Sequence, residues 1–190
     1  MKKILVLDNY DSFTYNLVHY IKECSNVQID VFRNTAIQIQ EIKKYDKILL
    51  SPGPGIPSEA GIMPELIRTF GSTKNILGVC LGHQAIVEAY GGQIYNMDQV
   101  FHGVESTLQI LDTTCPLYKG ISEHCKVGRY HSWNAVKETL PDCFIVTAQD
   151  EDGRIMSVRH KTHSVYGVQY HPESVLTPEG KQIIANWIAL

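Results

Sequence analysis

Two short runs, Ile4-Leu5-Val6-Leu7 and Ile48-Leu49-Leu50, contain no polar residue. A strand with one wet face alternates apolar and polar side chains, so unbroken runs mark strands covered on both faces, as in a parallel sheet wrapped by helices. Strand patterns at 3–7, 28–32, 47–50 and 76–79 have helical segments between them. In the first helix, at about 13–24, Phe13, Leu17, Ile21 and Cys24 recur on one face, and Asp11 or Ser12 is placed to cap the first turn. From Phe101 onward the apolar runs shorten and turn residues separate them, at 106–111, 126–130, 144–148, 154–160 and 164–170, which predicts antiparallel strands and hairpins. Thr177-Pro178 marks the start of a last helix whose apolar face is Ile183, Ile184, Trp187 and Ile188. The expectation is one α/β domain over 1–190, with an open, mixed, mainly parallel sheet flanked by helices and antiparallel strands in the second half.

The chain is long enough for one core, with 190 residues of which 44% are hydrophobic and 19% charged. A net charge of -3 with scattered Lys and Arg leaves no basic stripe, so neither nucleic acid nor an anionic membrane is an expected partner. No apolar stretch approaches the roughly 20 residues of a membrane span, and the first run meets Asp8 too early for a signal-peptide core. A cytoplasmic location follows as the expectation. The five cysteines are odd in number and lack C-x-x-C pairs, so they read as thiols in a reducing compartment. H-E-x-x-H, the P-loop and G-x-G-x-x-G are all missing, which removes the usual signals for zinc, nucleotide hydrolysis and dinucleotides.

Residues 75–92 read as a strand, an abrupt turn at Cys80, a helix and a double-glycine stop. Gly78 and Gly82 flank Cys80 as G-x-C-x-G, the thiol form of the nucleophile elbow, in which small neighbours let strand and helix close around a strained turn. The helix start brings partial positive charge to the sulfur and aims the Leu81 N–H at a developing oxyanion. The bland alternative, a small buried hydrophobe, describes most free cysteines, and it is kept here for Cys24, Cys115, Cys125 and Cys143.

A thiol nucleophile needs a base, and His171-Pro172-Glu173 offers one. Proline enforces extended backbone before it, placing an imidazole and a carboxylate two residues apart on one side. His83, within a helical turn of Cys80, ranks second. His160 and His163 lie in what reads as a solvated turn without a third ligand, so no metal is assigned. The loop 51–57 follows a strand at the carboxyl edge of the sheet, where open α/β sheets bind ligands, and its three prolines leave Gly53, Gly55 and Ile56 as N–H donors. Gly53 N–H is a candidate second oxyanion donor.

Taken together, Pro52-Gly53-Pro54-Gly55, Gly78-Val79-Cys80-Leu81-Gly82-His83-Gln84 and His171-Pro172-Glu173-Ser174 resemble the three signature blocks of the class I (triad) glutamine amidotransferases. The resemblance covers nearly the whole chain and implies a flavodoxin-like sheet. Segments 8–16, 57–66 and 84–92 are most similar to the glutaminase subunit of anthranilate synthase, with the aminodeoxychorismate (para-aminobenzoate) synthase subunit very close and one subunit for both a further possibility. By that resemblance Cys80 is the nucleophile, His171 the base and acid, Glu173 its orienter, and Gly53 and Leu81 the oxyanion donors. Gly53, Pro54, Gly55, Gln84, Ser132 and Trp133 would hold the substrate, L-glutamine. Two positions depart from the family pattern: Trp133 stands where leucine is usual, and Val104 where lysine is common after His102-Gly103.

The resemblance further implies a partner, the chorismate-binding synthase subunit, with His102, Gly103 and the surface around Tyr130 as candidate contacts. It implies magnesium in that partner and no cofactor in this chain. Other readings are a stand-alone γ-glutamyl thiol hydrolase, a non-catalytic binding protein, and the glutaminase subunit of GMP synthetase, against which Asp11-Ser12-Phe13-Thr14-Tyr15-Asn16 argues.

Overall fold

The computed structural model describes residues 3–190. Along the chain run β1 (Lys3–Asp8), α1 (Thr14–Cys24), β2 (Gln28–Arg33), β3 (Lys47–Leu50), α2 (Met63–Phe70), β4 (Asn75–Val79), α3 (Leu81–Ala89), β5 (Ile94–Ile110), β6 (His124–Ala135), β7 (Phe144–Gln149), β8 (Ile155–His160), β9 (Val165–Val168) and α4 (Gly180–Ala189). One sheet holds all of these strands in the order β2-β1-β3-β4-β9-β8-β7-β5-β6. The pairs from β2 through β9 are parallel, and those from β9 through β6 are antiparallel.

The polar-free runs have the reason the sequence suggests. In β1, Ile4 and Val6 point into a core with Leu17 and Ile21 of α1 and Ile183, Ile184 and Trp187 of α4. Leu5 and Leu7 point the other way, against Met63, Leu66 and Ile67 of α2 and Ala85 and Ile86 of α3. Each such side chain, fully withdrawn from water, contributes about 1.5–3 kcal/mol before conformational entropy is set against it. Trp187 also ties α4 to the sheet, since its Nε1–H donates to Asn75 Oδ1 at 2.7 Å.

Several boundaries differ from the sequence reading, each for a physical reason. β5 begins at Ile94 and β6 runs on to Ala135, because their long antiparallel ladder is built from backbone groups and continues past two register shifts through mostly exposed, polar residues. The last of the expected antiparallel strands, β9, is parallel to β4 and antiparallel only to β8. It ends at Val168, short of Tyr170. Helix α1 has no side-chain cap, as Asp11 Oδ2 instead accepts the Phe13 N–H at 3.1 Å. Phe13 is exposed and leaves the core face to Leu17, Val18 and Ile21. Thr177 and Pro178 form a turn ahead of α4, which starts at Gly180.

The sheet curls until its antiparallel end meets the parallel half. His171, just after β9, pairs as an isolated bridge with Gly128 of β6, its N–H reaching the Gly128 carbonyl at 3.0 Å. Beside it, α3 presses on the carboxyl ends of β3 and β4. A Cβ on Gly82 would lie 2.6 Å from the Leu50 carbonyl oxygen, and one on Gly78 would lie 2.4 Å from the Gly82 carbonyl carbon and oxygen. Backbone cannot swing aside as a flexible side chain does. Gly82→Ala is therefore expected to cost about 2–3 kcal/mol, read as a lower urea midpoint at unchanged m-value.

Candidate active site

Cys80 sits at φ 52, ψ -102, and Tyr10 is the one other non-glycine residue at positive φ among the described residues. A β-carbon in this region costs of order 1–3 kcal/mol and persists only where its surroundings enforce it. Here the enforcement comes from both sides: Cys80 N–H donates to Val168 O at 2.8 Å, and Cys80 O accepts the Gln84 N–H at 3.0 Å as the first bond of α3. The turn delivers the sulfur to the mouth of the helix.

His171 stands across from it. Its Nδ1 lies 2.6 Å from Glu173 Oε1, both side chains being almost wholly buried, while Nε2 makes no hydrogen bond among the described residues. Burial disfavours a charged ring, but the Cys80 sulfur and the Glu173 carboxylate outweigh it and hold the imidazole well above the ordinary histidine range. The ring is boxed by Tyr130, with centroids 4.9 Å apart, and by Phe13 at 6.4 Å. Tyr130 Oη lies 3.0 Å from Ser174 Oγ. The backbone is fixed as well, since Thr177 Oγ1 donates to His171 O at 2.6 Å and accepts the Gly128 N–H at 2.9 Å.

Pro52-Gly53-Pro54-Gly55 forms the facing wall. Asn9 locks its base: the Asn9 N–H donates to Ser51 Oγ and its Nδ2 to Ser51 O, each at 2.8 Å, while Asn34 Nδ2 reaches Asn9 Oδ1 at 3.0 Å. A Cβ on Gly53 would lie 2.4 Å from Asn9 O, so only glycine lets the chain pass here. Neither the Gly53 nor the Leu81 N–H is taken by an acceptor among the described residues. Gly53, Pro54, Gly55, Cys80, Gln84, Ser132 and Trp133, with Phe101, His102, Tyr130 and His131, surround a cavity of about 210 Å³. That is small beside drug-sized pockets and suits one small polar metabolite.

The sequence-predicted residues thus converge, with one change of role and one omission. The Trp133 carbonyl is already occupied, by His131 Nδ1–H at 2.8 Å and Gln84 Nε2 at 3.1 Å, and acts as an internal acceptor. Gln84 directs its second N–H to Gln169 Oε1 at 3.1 Å, leaving its own Oε1 for a ligand. Gln169 is the residue that sequence reasoning misses; its Nε2 lies 3.6 Å from Cys80 Sγ. The backbone at 171–174 is a turn, closed by the Ser174 N–H on His171 O at 3.2 Å, rather than the extended chain expected from the sequence; the place of Gln169 two residues before His171 is the signal that could have found it.

His83 lies away from this cavity. It is fully buried, and a Cβ on Gly167 of β9 would come within 2.5 Å of its Nδ1, so the missing side chain makes the ring's space. Burial, offset only by the Gly167 backbone, pushes His83 down to about 3. His131 is also lowered to about 3, first by burial and then by the Arg129 guanidinium. His160 is buried rather than solvated and stacks on His163 at 4.0 Å. No group of side chains fit to hold a metal occurs among the described residues.

The two neutral rings set a pH window. Below 6.5 the unfolded chain takes up protons that folded His83 and His131 refuse until about pH 3, so stability held above pH 6.5 is lost progressively as the pH falls. At pH 5 the loss should reach about 2 kcal/mol per ring. The raised His171 acts in the opposite sense over this range, so the test compares variant with parent: in urea unfolding, His83→Leu should gain about 2 kcal/mol on the parent in going from pH 8 to pH 5.

Comparison with known proteins places the chain in a family. The family model for glutamine amidotransferase class-I matches residues 5–190. The Bacillus subtilis aminodeoxychorismate/anthranilate synthase component 2 is 44% identical, with 97% of this chain and 95% of that protein covered. The Thermotoga maritima bifunctional protein TrpGD is 45% identical over 99% of this chain, which spans only 32% of that longer protein. A crystal structure from Thermoplasma acidophilum, provisionally described as one component of a GMP synthase, superposes with a TM-score of 0.88 at 25% identity, covering 100% of this chain and 93% of that one. An elbow cysteine, a carboxylate-held histidine and free backbone donors around a small cavity are therefore found in a chain that belongs to the class-I glutamine amidotransferases.

Proposed function

We propose that this chain is the glutaminase subunit of anthranilate synthase, releasing ammonia from L-glutamine for a chorismate-binding partner. The observation that carries the chemistry is the buried His171 ring, fixed by Glu173 and raised by the charges of Glu173 and the Cys80 sulfur. Such a ring stores the proton that the leaving nitrogen needs.

In this reading the Cys80 thiolate attacks the side-chain amide carbon of glutamine while the Gly53 and Leu81 N–H groups receive the oxyanion. His171 passes its Nε2 proton to the nitrogen as the C–N bond breaks, leaving a γ-glutamyl thioester and ammonia. Water then attacks the thioester, His171 takes the water proton, and glutamate departs as the thiolate re-forms. Gln84 Oε1 faces the substrate's ammonium end, with Ser132 and the 53–55 backbone alongside. Glu173 keeps the imidazole in one tautomer and orientation.

Ammonia in water is mostly protonated and no longer nucleophilic, so its acceptor belongs on a partner docked at this mouth. The exposed Val104 and the neighbouring His102, Gly103 and Tyr130 are the contacts we assign to it. The second reading, aminodeoxychorismate synthase or service to both enzymes, is favoured by the Bacillus subtilis relative, whose name carries both. Reconstitution with each synthase subunit separates them by product: anthranilate with one, aminodeoxychorismate with the other.

Two outcomes test the glutaminase chemistry itself. In the assembled complex Cys80→Ser should abolish glutamine-driven synthesis and spare ammonia-driven synthesis. His171→Ala should lose more activity than Glu173→Ala, by about tenfold or more, because transferring a proton matters more than orienting its carrier. Persisting glutamine activity in the Cys80 variant would remove the nucleophile. Separately, glutamate release by the chain alone should be slow and rise about a hundredfold with partner and chorismate. That gain needs roughly 2.7 kcal/mol of preferential binding to the competent site. Full activity in the chain alone would favour an independent γ-glutamyl hydrolase.

A further inference from the structure

We propose that Gln169 is a positioning residue for Cys80, holding the sulfur through a carboxamide N–H whose direction is dictated by a buried hydrogen-bond chain anchored on Arg129. The inference rests on Cys80 being the nucleophile.

An amide nitrogen and oxygen look alike in shape, so the direction of each bond has to be deduced from groups with only one role. Arg129 is such a group. It is fully buried, its guanidinium donates to Asp150 Oδ2 at 2.7 Å, and its Nε–H points at His131 Nε2 at 3.1 Å. Arginine only donates, so His131 Nε2 must accept and its Nδ1 must carry the proton, which goes to the Trp133 carbonyl at 2.8 Å. That carbonyl is the second fixed point. It only accepts, so Gln84 must turn its nitrogen toward it, at 3.1 Å. The other hydrogen of that nitrogen faces Gln169, 3.1 Å away, which must therefore present its oxygen. Gln169 is left with its nitrogen toward Cys80 Sγ at 3.6 Å.

The sulfur accordingly meets a donor, and a donor stabilises the charged acceptor more than the neutral one. Gln169 is fully buried and does not line the cavity. Its backbone is equally fixed, with its N–H on Met156 O at 2.8 Å. Titratable side chains near the sulfur include His171 and Glu173 after β9, His102, Tyr130 and His131 around the cavity and His83 on α3, and substitution at 169 leaves all of them in place.

The test uses Gln169→Met, which keeps the bulk and removes the donor, and Gln169→Glu, which keeps the shape and puts a carboxylate oxygen against the sulfur. The readouts are the rate of Cys80 alkylation by iodoacetamide as a function of pH, and kcat and KM for glutamine in the complex with its synthase partner. The alkylation profile should move up by about one pH unit in Gln169→Met and further in Gln169→Glu. Glutamine-driven kcat should fall about tenfold while KM stays within about threefold. A merely structural role would lower the thermal midpoint and leave the profile in place, so a profile within about 0.2 units of the parent's in a folded variant overturns the proposal. Should neither variant fold, Gln84→Met, which releases the Gln169 carboxamide, must move the profile the same way or the proposal fails. If alkylating Cys80 in the parent leaves glutaminase activity intact, the nucleophile reading itself has failed; if it inactivates the parent and the variants keep the parent profile, only the positioning role has.

Discussion

A cysteine at φ 52 is a conformation the backbone would leave if it could, and the close approach of α3 to the sheet prevents it. Gly78 and Gly82 have no side chains because there is no room for them between α3 and the ends of β3 and β4. That proximity aligns the first N–H groups of α3 with the sulfur and sets the Gly53 loop opposite. The strain at one residue is thus held by apolar burial spread over two cores, one on each face of the sheet.

Electrostatics divide the neighbouring histidines by their surroundings rather than by sequence. His171 is buried yet raised, because it has a carboxylate on one nitrogen and a sulfur facing the other. His83 and His131 are buried and lowered, lacking any acidic partner, with Arg129 adding repulsion at His131. Three rings in equally dry settings therefore carry opposite charge states at neutral pH. Only the one with an anionic neighbour can act as a proton store.

Much of this was legible in the residues. The polar-free runs at 4–7 and 48–50 became the bodies of β1 and β3 because burial on both faces demands that composition, and G-x-C-x-G announced the elbow because few other turns need glycine at both positions. Other features left no such mark. The first part of β5 is a ladder of backbone bonds through exposed residues, which apolar periodicity does not register. Phe13 carries the right spacing for the core face of α1, but it precedes the first helical residue, and its ring turns to Tyr130 at 5.8 Å. Gln169 is a polar residue in a buried segment, and what it does depends on partners at 84 and 80 that only the folded chain brings to it.

The bridge between His171 and Gly128 gives the two halves of the site different moorings. The Cys80 backbone is tied to the parallel half, through Val168 and α3. His171 is tied to β6 as well, at the far edge of the antiparallel half. Peeling that edge strand would draw the imidazole away from the sulfur while leaving the backbone bonds of the elbow in place. A molecule opened along that edge would keep its thiol but not the proton carrier beside it.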